Sequence, residues 1–166
     1  MATNPVLFHL AIPIADIAQA KAFYIGGLGC ELGRESRLAL ILNFFGHQVV
    51  THLTPELPLP QKGIYPRHFG LIFSTLEDWQ AILTRAKSQN LNFYESEKLR
   101  FPNLLTEHRT FFLADPFHNL IEFKFYGHPE AIFGGRELAQ VGDIPAWRLP
   151  PLILGIGYNF LSWIQI

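Results

Sequence analysis

The order of apolar and polar positions repeats itself along this chain. Phe8 to Ile14 is a short apolar run that reads as a buried strand. Asp16 follows as a helix N-cap, and Ile17, Ala20 and Tyr24 recur at helical spacing, predicting a helix over Ile17 to Ile25 that Gly26-Gly27 ends. After a segment around Cys30 to Arg34 come two β-like runs, Leu38 to Phe45 and Gln48 to Leu53, joined by a turn at Gly46-His47. Thr54 to Gly63, with Pro55, Pro58 and Pro60, reads as a linker.

The second half replays this order. His68 to Ser74 predicts a strand, and Thr75 with Asp78 three residues on has the form of a capping box. Trp79, Ile82, Leu83 and Ala86 then mark one face of a helix that Asn90 closes. Leu91 to Glu95 is a further strand, Arg100 to Glu107 a loop, and Thr110 to Leu113 and Asn119 to Phe125 a hairpin over Asp115-Pro116-Phe117-His118. Each half is β-α-β-β-β, with His47-Gln48 set against His118-Asn119. The expected fold is α+β, two βαβββ modules forming a curled mixed sheet around a cleft. Module one spans 5–53, the linker 54–66 and module two 67–127 of a single domain, 1–128. Residues 129–166 form an apolar extension.

Composition narrows the partners. A net charge of -1 over 166 residues provides no electrostatic reason to expect nucleic acid. The single cysteine, Cys30, has no internal partner, which points to a reducing compartment and a cytoplasmic protein. No basic start with a long apolar run marks a secretory signal. The uncharged stretch Leu149 to Ile166 is broken by Pro150, Pro151, Gly155 and Gly157 and falls short of the roughly 20 apolar residues of a membrane span. With Trp147 and Trp163 it supplies surface for a homodimer.

The chemistry concentrates in three places. His9 and His68 open the first strand of each half, and Glu122 interrupts the apolar run Leu120-Ile121-Glu122-Phe123. Two histidines and a carboxylate on strands make a three-ligand divalent metal site with open positions. A carboxylate sharing a strand face with Leu120 needs a reason such as a cation. The remaining histidines have plainer readings: His47 in a turn, His108 in a loop, His118 at an exposed turn position that tolerates positive φ, and His128 in solvent. Trp79 is helix core.

Four segments, in order, resemble the vicinal oxygen chelate superfamily of glyoxalase I, fosfomycin- and bleomycin-resistance proteins and extradiol dioxygenases. They are Phe8-His9-Leu10-Ala11 with Asp16 and Ala22-Phe23-Tyr24; Phe44-Phe45-Gly46-His47-Gln48; His68-Phe69-Gly70; and Leu113-Ala114-Asp115-Pro116 with Asn119-Leu120-Ile121-Glu122-Phe123. The resemblance implies a divalent metal (Fe, Zn, Ni or Mn) held by His9, His68 and Glu122, with a fourth ligand from the last strand of module one. There a gapless match of the two turns sets Thr51 opposite Glu122, and one extra residue sets His52 there. His52 is the better ligand chemically, with Gln48 lining the pocket and Arg100 meeting an anionic substrate. The resemblance implies a metal-dependent enzyme acting on a small molecule through neighbouring oxygens, dioxygenase-like or lyase-like, with Glu122 also carrying a proton. The alternative is a binding protein of the bleomycin-resistance type. Family members often dimerise, some completing the site across the interface.

Overall fold

The computed structural model describes residues 6–138 and 141–142. The chain divides after Gly135 into two units. All strands among the described residues lie in the first. The expectations for Trp147, Trp163 and the run from Leu149 fall outside the described residues.

Module one contains β1 (His9–Ile14), α1 (Ile17–Lys21), a π-helical stretch Ala22–Gly27, then β2 (Glu31–Glu35), β3 (Ala39–Phe44) and β4 (His47–Leu53). Module two contains β5 (Phe69–Phe73), α2 (Leu76–Ser88), β6 (Phe93–Arg100), β7 (His108–Ala114) and β8 (Leu120–Tyr126), followed by a 3-10 turn at Pro129–Ile132. Each module forms one four-stranded sheet, in the orders β1-β4-β3-β2 and β5-β8-β7-β6. In both, the first and last strands pair in parallel and the others antiparallel. The α+β expectation and the repeated module are thus observed, and the two sheets do not close into one barrel.

Alternation decides which face is buried. Ile12 and Ile14 of β1, Val49 of β4 and Leu40, Leu42 and Phe44 of β3 point to one side and enter a core shared with Phe111, Leu113, Ile121 and Phe123 of module two. Phe111 stacks on Phe123 at 4.9 Å, and the Trp79 indole donates to the Phe123 carbonyl at 3.0 Å. Burying one such aromatic contributes roughly 1.5–3 kcal/mol. A polar clasp also joins the modules: the buried Tyr24 hydroxyl donates to Asp115 at 2.7 Å, and Asn119 Nδ2 donates to the Pro13 carbonyl at 3.1 Å.

Both helix starts follow the sequence signals. Asp16 accepts from the Gln19 amide at 2.7 Å, and Thr75 from the Asp78 amide at 3.1 Å. Four details differ. The first helix ends at Gly26-Gly27, but its second half, Ala22–Gly27, is π-helical, and its terminal carbonyls accept from Arg85 of α2. The first hairpin turns on Phe45 and Gly46, at φ 53° and 89°, and His47 already belongs to β4. β6 runs on to Arg100, because an edge strand with register shifts carries charged residues that read as loop. β7 begins at His108, two residues before the apolar stretch that announced it.

Candidate metal centre

Glu122 lies in the middle of β8, directly opposite Gly70 on β5 and Phe112 on β7. A Cβ at position 70 would stand 1.8 Å from the Glu122 carbonyl oxygen, so only glycine permits this pairing. The strand register puts Lys124 and Tyr126 on the same face as Glu122, with Thr110 and His108 beside them on β7 and Lys98 and Arg100 beyond on β6. This face is a field of polar groups inside a half-buried sheet.

His68, just before β5, brings Nε2 to 3.2 Å from Glu122 Oε2. Its Nδ1 donates to the Ile64 carbonyl at 2.7 Å. Glu122 Oε1 accepts from the Thr110 hydroxyl at 2.7 Å, and Lys124 Nζ approaches Oε2 at 3.1 Å. Burial by itself would push the Glu122 carboxyl up, but the His68 bond, the Lys124 charge and the Thr110 hydroxyl together hold it down at about 2. The Glu122 bond in turn raises His68, against its partial burial.

The pair has the form of a divalent-metal donor set. In each residue the outer atom is engaged, His68 Nδ1 by a backbone carbonyl and Glu122 Oε1 by Thr110, which leaves Nε2 and Oε2 converging. Two ligands each about 2.1 Å from one ion, at a right angle, stand ~3 Å apart, which matches the observed separation. The donors present therefore fit such an ion.

His9 is prepared in the same way elsewhere. Its Nδ1 donates to Gln48 Oε1 at 2.7 Å, which leaves Nε2 with the lone pair, and the residue is exposed. Among the described residues, however, no three His, Cys, Asp or Glu side chains come together to hold a metal. The expected convergence of His9, His68 and Glu122 in the cleft of one chain is thus not observed. β1 and β5 are edge strands of separate sheets, and each histidine is turned onto its own sheet.

The fourth position also changes. His9 faces Gln48 and Ala11 faces Val50 on β4, just as Gly70 faces Glu122 on β8. Val50, not Thr51 or His52, therefore occupies the place that corresponds to Glu122. The turn sets this register: Gly46 corresponds to His118, both at positive φ, where the sequence match had paired His47 with His118. Thr51 is buried on the opposite, core-facing side. His52 is exposed, opposite Pro13, and ~13 Å along the strand from Gln48.

Arg100 ends β6, 6% exposed, with Nη2 3.6 Å from Glu95 Oε2, and Lys98 pairs with the same carboxylate at 2.6 Å. His108 is not a loop residue. Its ring is buried against Tyr126 and Phe101, with Nδ1 donating to the Thr106 carbonyl at 2.9 Å. Burial lowers it, keeping a neutral imidazole on the Glu122 face. The signal that marks His108 in the sequence is its parity with Thr110 and Phe112, but the polar run before it hides the start of the strand.

The family model for the Glyoxalase/Bleomycin resistance protein/Dioxygenase superfamily matches residues 6–123. The chain belongs to this superfamily. A glyoxalase/bleomycin resistance protein/dioxygenase from Alicyclobacillus acidocaldarius is 39% identical, covering 80% of this chain and 100% of its own, with a TM-score of 0.75. The fosfomycin resistance protein FosX from Listeria monocytogenes shares the fold at 16% identity, covering 78% of this chain and 99% of its own, TM-score 0.58. So does a glyoxalase/bleomycin resistance protein/dioxygenase from Nocardioides at 16% identity, covering 78% and 90%, TM-score 0.54. No curated protein sequence matches the chain. No helix among the described residues is long and apolar enough to cross a membrane.

Proposed function

We propose that this superfamily member is a divalent-metal-dependent enzyme acting on a small molecule through two neighbouring oxygens, in a dioxygenase-like or lyase-like reaction. The observation that carries this reading is the convergence of His68 Nε2 and Glu122 Oε2 at 3.2 Å, each backed by a partner on its other polar atom. Relatives in the superfamily include enzymes, and this donor pair is what a non-catalytic binding module does not need. His68 and Glu122 would hold a divalent cation there, which would supply polarisation of the two substrate oxygens and stabilise charge developing on them.

Two identical chains complete the ligand set in this proposal. His9, fixed by Gln48 and exposed on the β1 edge, supplies the third ligand, a second nitrogen, to His68 and Glu122 of a second copy. The unpaired edges of β1 and β5 and the exposed Leu7, Phe8 and Ile72 near them favour such a homodimer. Glu122 acts as a ligand first, since a carboxyl held at about 2 is a weak proton acceptor.

The test is metal analysis of protein purified without chelator, then oxygen uptake with catechols. Wild type is expected to retain close to one divalent ion per chain and His68→Ala to lose it. Equal metal content in both proteins sinks the proposal.

A further inference from the structure

Besides His68, Lys124 lies against the metal-facing oxygen of Glu122. Its ammonium stands 3.1 Å from Glu122 Oε2, the atom 3.2 Å from His68 Nε2. The neighbouring polar groups are engaged differently: Lys98 and Arg100 on β6 lie against Glu95, and the Thr110 hydroxyl on β7 donates to the other Glu122 oxygen. His108 on β7 is turned to the Thr106 carbonyl. Lys124 is about a quarter exposed, so most of its stem is packed while part of the side chain reaches solvent.

Resting on the metal-enzyme reading above, we infer that Lys124 is a two-position residue. It neutralises Glu122 while the donor pair is free, and turns to an anionic oxygen of the chelating substrate once Glu122 serves the cation. The substrate class this selects is a small anion that chelates through two neighbouring oxygens, with charge on at least one. The physical reason is charge balance on a buried face. A carboxylate that is 5% exposed needs a compensating cation for as long as it is ionised. When a divalent ion takes that role, the ammonium two residues on is surplus and repelled. It regains a partner only if an anion enters beside it.

The two positions predict effects of opposite sign from one substitution. Lys124→Met keeps the apolar stem and removes the charge, so Mn2+ no longer competes with an ammonium for Glu122. Calorimetric titration of the full-length protein should show Mn2+ bound about tenfold tighter in this variant than in wild type. Oxalate, the probe for a bidentate dianion, should bind the Mn2+-loaded variant about tenfold more weakly than Mn2+-loaded wild type. Lys124→Arg should restore oxalate binding in the Mn2+-loaded protein. A residue that merely supports the fold would weaken both affinities together or change neither. Unchanged or weaker Mn2+ binding in Lys124→Met, or unchanged oxalate binding, overturns the inference alone. Wild type that binds no Mn2+ overturns the metal reading and the inference with it.

Discussion

Gly70 and Glu122 face each other across the parallel pair β5–β8 so closely that a Cβ on Gly70 would lie 1.8 Å from the Glu122 carbonyl oxygen and 2.9 Å from its amide nitrogen. The contact is backbone to backbone, so no side-chain rotation relieves it. Gly70→Ala is expected to separate the strands at the point where the carboxylate is held. Overpacking of this kind costs about 1–3 kcal/mol, and here the distortion falls on the donor pair itself. Chemical denaturation should show the loss of stability and calorimetry a parallel loss of Mn2+ affinity. A variant as stable as wild type, with full Mn2+ binding, would show that the close approach is not obligatory.

The His68–Glu122 pair predicts a stability profile for protein stripped of metal. Glu122 is depressed from 4.5 to about 2, so its contribution is present above the ordinary value and lost as pH falls toward 2. His68 is raised above 6.5, so its contribution is complete below that value and lost as pH rises through the raised one. The pair therefore contributes most between pH 4.5 and 6.5. Thermal melts of the chelator-treated protein across this range, compared with Glu122→Gln, provide the measurement. The difference between the two proteins should peak in that window and shrink on both sides, and a difference independent of pH would contradict it.

The same pair ties metal affinity to pH. His68 must give up its proton before Nε2 can ligate, so Mn2+ binding should weaken as pH drops through the raised value and should release a proton on binding. Titration at pH 6.5, below the raised value, in two buffers of different ionisation enthalpy counts that proton. Release of none would mean that His68 is not a ligand.

A site completed by a second copy predicts complementation. His9→Ala and His68→Ala homodimers each lack one ligand in both sites. In a mixed dimer one site carries both defects and the other neither. Random mixing should therefore restore about a quarter of the wild-type metal content. No recovery on co-refolding the two variants would rule out sharing of ligands between subunits.

Much of the module was legible because local rules act within short windows. Asp16 and Thr75 cap where their spacing says, Trp79, Ile82 and Ala86 are buried on one helical face, and His118 adopts the positive φ assigned to it. The two first strands and the last strand fall where the repeat puts them. The edge strand β6 was less legible, since its run of charged residues belongs to a strand only because β7 pairs with it.

The sequence by itself determined the duplicated βαβββ plan, the superfamily resemblance and the identity of His9, His68 and Glu122 as unusual polar residues on apolar strands. Periodicity and capping, which depend on neighbours a few residues away, are enough for that. Only the tertiary structure decided which groups meet. The turn at Phe45-Gly46 shifts β4 by one residue and sets Val50, in place of Thr51 or His52, at the position corresponding to Glu122. It brings Lys124, Thr110 and His108 onto the face of Glu122 and leaves His9 on a different sheet from His68. One residue of register reverses the face on which every side chain of a strand points, and register is set by turns and cross-strand pairing rather than by the strand's own residues.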